Sequence, residues 1–376
     1  MDAHWWQLPG PGRFVRDVLA DLGSGRNVLL RFPSHAAGGC RESVAARVRD
    51  NELWRWRPLD ASELTAATLA ELTMALFRCL RCEPTAGQLP SPAGLAAAVP
   101  DGDVIWVDHL DIDRWPLWSK LLGLFQHACH ARDENRRGLF CIPLVGRLAS
   151  EPTPDTALRV HRWSGSVSRL DVMLHLDRQT PHTFPGRLLR QVALGVATEL
   201  GGADACLCTK LATAGLRLLA DPVALLEEHA RERGWTAIVA RDARWGDGVC
   251  ENLDGEDRVN SAALAVAGDS GAIKRRVWHG QIRLLYPFIE EQRVKLVSEV
   301  GGLLQLPVET TYGPVDKAID LEIGQLVHFL RSRRVPDRTW RRLLLLRDMR
   351  HALAHLEPVE FRTLMSEEFR FLDQSG

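Results

Sequence analysis

The sequence predicts an α/β domain with a largely parallel sheet, followed by an all-helical region. In the N-terminal half, short apolar runs typical of buried strands alternate with segments of helical periodicity. That alternation is the order that produces parallel strands joined by helices. In the C-terminal half, apolar residues recur at helical spacing over long stretches with short loops between them. With 376 residues, the chain is long enough for two or three domains.

The N-terminal half is expected to begin with an amphipathic helix, which a Gly-rich stop separates from the first buried strand. A loop rich in Pro and Gly is expected over 83–100. The predicted elements of this half are helix 13–22, strand 27–32, helix 40–50, helix 64–80, strand 104–111, helix 115–130, strand 138–143 and a strand-like start to 159–176.

The loop between the first strand and its helix, residues 33–43, contains candidate nucleotide-binding residues. Gly38 and Gly39 allow backbone amides to approach a phosphate, Arg41 supplies a cation, and Ser43 supplies a hydroxyl for magnesium. No lysine stands in this loop to reach the terminal phosphates. We therefore expect neither tight ATP binding nor ATP hydrolysis, and no cofactor.

The strand predicted over 104–111 ends in acidic residues. Asp108 is the candidate magnesium ligand, with Asp111 second, because carboxylates bind the Mg²⁺ that accompanies nucleotide phosphates. The order of strand, glycine loop, helix and acid-tipped strand resembles the P-loop NTPases of the AAA and STAND kinds over residues 1–180. The resemblance implies a degenerate nucleotide-binding domain. The alternative is a generic doubly wound domain in which Asp108 merely caps a strand.

Between residues 181 and 260 the sequence predicts a helical lid and a connector. Helices are expected over 188–200, 204–219 and 222–233, separated by Gly-Gly and Asp-Pro breaks. The stretch 240–257 is rich in Gly and Asp, without the ligand spacing of a calcium loop, and predicts an exposed acidic connector. The expected domains are 1–180, 181–260 and 261–376.

The last domain is expected to be a helical bundle with helices over 273–300, 319–330 and 343–356, and a turn over 311–317. In the last helix, apolar residues at helical spacing predict a buried stripe, namely Leu346, Met349, Leu353 and Leu356. Arg347, His351 and His355 lie four residues apart on another face, and Arg350 falls near the boundary between the two.

The spacing Arg350-His351-x-x-x-His355 resembles the Arg-polar-x(3)-His signature of HEPN domains, which are found in bacterial toxins, CRISPR-associated ribonucleases and defence proteins. The resemblance covers roughly the last hundred residues and implies RNA cleavage without a metal, usually in a site shared by two units. Arg350 would stabilise phosphate charge, His355 would move the proton of the attacking 2′-hydroxyl, and His351 would hold the polar position. Alternatives are an HEPN fold without nuclease activity, or a solvated helix in an unrelated bundle.

The segment 331–350 is strongly basic, with eight arginines against two aspartates and a net formal charge of +6, in a chain whose net charge is −1. Such density beside an aromatic residue predicts contact with phosphate backbones. The candidate nucleic-acid-binding residues are Arg331, Arg333, Arg334, Arg338, Arg341, Arg342 and Arg347. The alternative is a solvated face whose arginines pair with Glu290, Glu291, Glu322 or Glu367.

These observations predict a regulatory or scaffold component of a bacterial antiphage or conflict system, with a metal-independent endoribonuclease as the alternative. The expected partners are nucleic acid, RNA rather than DNA, or other defence-system proteins, in a homo- or hetero-oligomer. No metal site is expected, because the eight cysteines lack the paired turns of structural zinc sites. No signal peptide or membrane span is evident, so the expected location is the cytoplasm.

Overall fold

The computed structural model describes residues 4–84, 89–133, 137–148, 154–180, 184–241, 244–311 and 313–374. Contacts within the chain divide it into two compact units. The first unit comprises Met1–Asp171, Ala203–Ala205 and Asp242–Asn260, and the second comprises Val172–Gly202, Cys206–Arg241 and Ser261–Gly376. The sequence predicts domain boundaries near residues 180 and 260, whereas the first unit also contains two segments from beyond residue 180.

The first unit is built on a five-stranded parallel sheet. The strands are β1 (Asn27–Phe32), β2 (Arg55–Asp60), β3 (Asp103–Asp108), β4 (Leu139–Val145) and β5 (Leu158–Arg162), and their order in the sheet is β2-β3-β4-β1-β5. All six residues of β1 are buried, because it lies between two other strands and is covered on both faces. The predicted α/β domain with a parallel sheet is therefore confirmed.

Helices cover the two faces of this sheet. They are α1 (Pro9–Gly23), α2 (Cys40–Arg49), α3 (Leu69–Leu80), α4 (Pro92–Ala98) and α5 (Trp115–Cys129). Leu29 of β1 belongs to the core that α3, α4 and α5 form around Trp118 and Phe125. Phe32, an odd number of residues further on, faces the other side, where it contacts Phe14 of α1 with ring centroids 5.7 Å apart.

Three elements of the first unit differ from the sequence-based expectation. Strand β2 is absent from the predicted elements, and α4 lies inside the expected loop 83–100, where Ser91 caps it by accepting a hydrogen bond from the Gly94 amide at 3.0 Å. The expected exposed connector contains the antiparallel hairpin of β6 (Cys250–Leu253) and β7 (Glu256–Val259). Val249 and Leu253 are fully buried there, so this segment is part of the folded unit.

The second unit is helical, as predicted, apart from one short hairpin of β8 (Val308–Thr310) and β9 (Gly313–Val315). The remaining helices are α6 (Arg169–Gln179) and α8 (Ala205–Thr213), which both begin in the first unit, α7 (Arg187–Gly201), α9 (Leu216–Ala220), α10 (Val223–Glu232), α11 (Ala237–Arg241), α12 (Ser261–Val266), α13 (Ser270–Val300), α14 (Ile323–Leu330), α15 (Asp337–Ala354), α16 (Phe361–Leu364) and α17 (Glu367–Gln374). Among the described residues, no helix has both the length and the apolar character to cross a membrane.

The long helix α13 packs against α7 and α15. Its contact with α7 depends on two glycines that let the backbones approach closely. A Cβ added to Gly280 would lie 2.5 Å from Val196 Cα, and one added to Gly195 would lie 2.7 Å from the Gly280 carbonyl oxygen. A larger residue at either position would therefore force the two helices apart.

Helix α15 buries Leu346, Met349 and Leu353, as the apolar stripe predicts. The helix ends at Ala354, and Leu356 adopts a left-handed conformation with φ of 61° and stays 55% exposed. The prediction that Leu356 continues the buried stripe is therefore wrong, because the chain leaves the helix before the next turn.

Candidate functional site

The glycine loop after β1 is shaped by Trp6. Gly39 has φ of +97° and caps α2, and the Trp6 indole N–H donates to the Gly38 carbonyl oxygen at 2.7 Å. A Cβ on Gly39 would lie 3.1 Å from Trp6 Cδ1. The left-handed turn and the close packing of the buried Trp6 are therefore sufficient reasons for a glycine at position 39, without a bound phosphate.

Arg41 and Asp108, the candidate cation and the candidate magnesium ligand, form an ion pair. Arg41 Nη1 lies 2.9 Å from Asp108 Oδ2. The Trp106 indole N–H donates to the other carboxylate oxygen, Oδ1, at 2.6 Å. Both oxygens of Asp108 thus have partners within the chain, and the adjacent guanidinium would repel a magnesium ion bound there.

The crevice beyond the carboxyl ends of β1 and β4 contains part of the chain itself. The chain leaves β1 toward β2 and leaves β4 in the opposite direction toward β5, and such a switch point is where α/β sheets usually bind ligands. Here the Ser34 backbone N–H, just after β1, donates to the Gly246 carbonyl oxygen at 2.8 Å. Arg147, just after β4, pairs with Asp247 at 2.9 Å.

We call residues 245–248 the crevice turn. It engages the Ser34 backbone amide and the Arg147 guanidinium, two groups of the kind that bind phosphate. The sequence does not single out Ser34, Arg147 or Asp247, since nothing local relates Ser34 or Arg147 to a turn that is distant from both in the sequence. Nor does it single out Arg31, which is 2% exposed and donates to the carbonyl oxygens of Leu144 and Gly146 at 3.2 and 3.1 Å.

The acidic residues at the neighbouring strand ends form hydrogen bonds with other residues of the chain. Asp111, the second magnesium candidate, accepts a hydrogen bond from the Asp113 amide at 3.0 Å and caps a short 3-10 helix. Asp60 accepts from the Ser62 hydroxyl and amide and lies 2.9 Å from His109 Nδ1. The Ser62 bonds, then that of His109, lower the pKa of Asp60 to about 2. Within the described ranges, no group of three or more His, Cys, Asp or Glu residues could hold a metal ion.

In the second unit, Arg350 is bound to carboxylates. Its Nη1 lies 3.0 Å from Glu322 Oε2, and its Nε lies 3.7 Å from Glu290 Oε1. Partial burial opposes its charge, but Glu322 and Tyr286 outweigh this and raise the pKa of Arg350. Arg350 thereby connects α15 with α13 and with the residue that caps α14.

His351 and His355 stand together at the exposed C-terminal end of α15. Their ring centroids are 4.3 Å apart in an edge-to-face arrangement, and His355 is the C-cap residue. No ion pair to either ring occurs in the part of the chain that the structure describes. Arg350 is committed to Glu290 and Glu322, so the three motif residues do not form one cluster of free groups.

The basic segment 331–350 is neutralised unevenly. Toward the middle and end of α15, arginines pair with carboxylates, and the pairs are Arg341 with Glu368 at 3.3 Å, Arg342 with Glu299 at 2.8 Å, and Arg347 with Asp348 at 2.6 Å.

Near the turn before α15, the partners of the arginines are uncharged. Arg333 donates to the Gln305 side chain at 3.1 Å, and Arg338 lies 3.4 Å from the ring centroid of Phe371. Arg331 and Arg334 are exposed and form no ion pair with any described residue.

Comparison with known proteins gives no closer identification. No family model matches the chain, and no curated protein matches it at a significant level. The parallel α/β unit and the helical unit agree with the two resemblances in outline.

Proposed function

We propose that this chain is a nucleic-acid-binding regulatory or scaffold component of a bacterial antiphage or toxin-like system. The observation that carries the proposal is the uneven neutralisation of the basic segment. Positive charge without a carboxylate partner is concentrated at the turn before α15, where Arg331, Arg333 and Arg334 are exposed. Exposed guanidinium groups of this kind bind phosphate backbones and release counterions.

The first unit fits a decayed nucleotide-binding domain that serves as a scaffold. Its glycine loop follows β1 and Asp108 ends β3, and both strand ends lie at the same edge of the parallel sheet. This is the arrangement that the P-loop resemblance implies. The Arg41–Asp108 ion pair and the crevice turn supply internal partners for the groups that would bind phosphate and magnesium.

The test is binding of fluorescein-labelled single-stranded RNA to the full chain, followed by anisotropy over a salt series. We expect log affinity to fall linearly with log salt, because bound phosphates release counterions. Arg334→Ala should lower the salt slope by about 0.7, because the variant neutralises one phosphate fewer than the wild type. Arg341→Ala, which removes an arginine already paired with Glu368, is the matched control and should leave the slope unchanged.

Absence of RNA binding by the wild-type chain would contradict the nucleic-acid part of this proposal. The basic surface would then be expected to bind a partner protein of the same system instead. If DNA binds more tightly than RNA of the same sequence, DNA and not RNA is the preferred ligand.

The second candidate is a metal-independent HEPN endoribonuclease that uses Arg350 and His355. The observation in its favour is the exposed pair of imidazoles, His351 and His355, in ring contact at the end of α15. Imidazoles exchange protons near neutral pH and suit acid–base catalysis on a 2′-hydroxyl. Arg350 would have to exchange Glu322 for a phosphate in such a site.

A further inference from the structure

A groove of about 700 Å³ lies between α14 and α15, beside the turn that joins them. Residues of both helices and of the turn line it, and all of them belong to the second unit. Its walls carry a half-buried aromatic ring, Trp340, and several cationic or polar side chains. The groove thus combines an aromatic surface with positive charge.

Arginine side chains line the groove at the turn between α14 and α15. Arg331 and Arg333 both line it, and both are exposed. The partner of Arg333 is the neutral side chain of Gln305, so the charge of its guanidinium remains uncompensated. Arg347 also lines the groove, although Asp348 beside it offsets its charge. Asp337, in the first turn of α15, is the acidic residue of the wall.

Trp340 lies in the first turn of α15, where its backbone N–H donates to the Pro336 carbonyl oxygen at 2.9 Å. The indole is half-buried, and Val327, Leu330 and Leu344 add apolar lining to the same groove. A half-buried planar ring beside apolar side chains can stack with a nucleobase at little cost in side-chain entropy.

We infer that this groove binds single-stranded RNA, with one base stacked on Trp340 and the flanking phosphates on Arg331 and Arg333. Single strands are favoured because a base must leave its own stack to reach the indole, which an intact duplex prevents. The inference rests on the proposed nucleic-acid function and assigns it to one site.

The experiment compares variants in anisotropy titrations with a fluorescein-labelled 12-nucleotide oligouridine RNA and with a duplex of equal length. Trp340→Leu keeps an apolar side chain but removes the stacking surface. We expect it to weaken single-strand binding roughly 5- to 150-fold, which corresponds to the loss of one stacked base. The double variant Arg331→Ala/Arg333→Ala should weaken binding roughly tenfold or more, and should lower the salt slope by about 1.4.

Two controls accompany these variants. Trp340→Phe retains an aromatic ring and should recover most of the affinity that Trp340→Leu loses. Arg341→Ala removes one positive charge from α15, outside the residues that line the groove, and should change affinity less than about twofold, because Glu368 already offsets that charge. Circular dichroism melting of each variant verifies that it is folded.

The outcomes separate this inference from the proposed function. If the wild-type chain binds no RNA, the proposed function fails and the groove assignment fails with it. If the wild-type chain binds RNA and the groove variants bind as tightly as the wild type, only the groove assignment is overturned. Equal or tighter binding of the duplex, unaffected by Trp340→Leu, would overturn the single-strand assignment.

Discussion

In the first unit, the guanidinium of Arg41 lies 2.9 Å from the carboxylate of Asp108 and joins the start of α2 to the end of β3. The sequence suggests these residues as the phosphate-binding cation and the magnesium ligand of a nucleotide site. Each instead serves as the partner of the other. With Trp106 on the second carboxylate oxygen, both oxygens of Asp108 have partners without a ligand.

Asp108→Asn tests this interpretation. We expect no ATP turnover by the wild-type chain or by the variant, because the loop lacks a lysine and Asp108 is bound to Arg41. The change should lower the free energy of unfolding by only about 0.5 kcal/mol, since Arg41 is 42% exposed and solvent screens the pair. Phosphate release assays and urea unfolding measure the two quantities. ATPase activity in the wild-type chain that disappears in Asp108→Asn would refute this prediction.

The crevice turn should resist proteolysis because a buried hairpin follows it. Gly246→Ala should disturb it, since a Cβ there would lie 3.0 Å from Arg147 Cα and 3.2 Å from Arg147 N. We expect a decrease of about 1 kcal/mol in the free energy of unfolding and new cleavage within 244–248, detected by limited trypsin or subtilisin digestion and mass spectrometry.

The matched control for this substitution is Gly123→Ala. Gly123 lies in α5, is exposed, and has no atom within 4 Å of an added Cβ. Alanine should therefore stabilise the helix by about 0.5–1 kcal/mol and leave the digestion pattern unchanged. A turn that is cut as readily in the wild-type chain as in Gly246→Ala would support the exposed connector expected from the sequence.

The elements that the sequence predicts correctly are those whose structure is determined by their own pattern of apolar residues. The apolar run of β1 predicts a strand because both faces of a central parallel strand must be buried. Strand β2, R-W-R-P-L-D, is not predictable in this way because it lies at the sheet edge, tolerates Pro58, and exposes several of its side chains. The local pattern carries too little apolar signal for such a strand.

The candidate sites are harder to predict because distant partners determine their state. Arginine density in 331–350 is visible in the sequence, but Glu299 and Glu368, which neutralise two of these arginines, come from other helices. The crevice turn likewise reaches β1 and β4 from a distant part of the sequence. Which charges remain available to a ligand is therefore a property of tertiary structure.

The hydrogen bonds of Asp60 predict a pH dependence of stability. Its pKa is lowered to about 2 in the folded chain from an ordinary value of 3.8, so the folded state favours the ionised form. The resulting stabilisation should be fully present above about pH 4 and disappear as the pH falls toward about 2. Urea unfolding of wild type and Asp60→Ala should show the largest difference near about pH 6 and convergence near about pH 2. A difference that is constant across this range would contradict the prediction.

The contacts of Arg350 predict that it contributes to stability whether or not it acts on RNA. Arg350→Ala would leave Glu290 and Glu322 without this cation, and we expect a decrease of about 1 kcal/mol in the free energy of unfolding, limited by partial exposure. His355→Ala should change stability by less than about 0.5 kcal/mol, because that side chain is exposed at the helix end. Thermal unfolding that is unchanged in Arg350→Ala would contradict the structural role.

This difference determines how the ribonuclease candidate must be tested. Because Arg350→Ala confounds folding with activity, Arg350→Lys is the better variant, since it keeps the charge beside Glu322 but lacks the bidentate guanidinium that phosphate needs. If the chain is a metal-independent nuclease, labelled RNA should be cleaved by the wild-type chain in the presence of a chelator, weakly by Arg350→Lys, and not by a folded His355→Ala. The proton of the 2′-hydroxyl would then have no acceptor. If the wild-type chain leaves the RNA intact, alone and with its natural partners, the nuclease candidate is excluded, and a binding function for the basic surface remains.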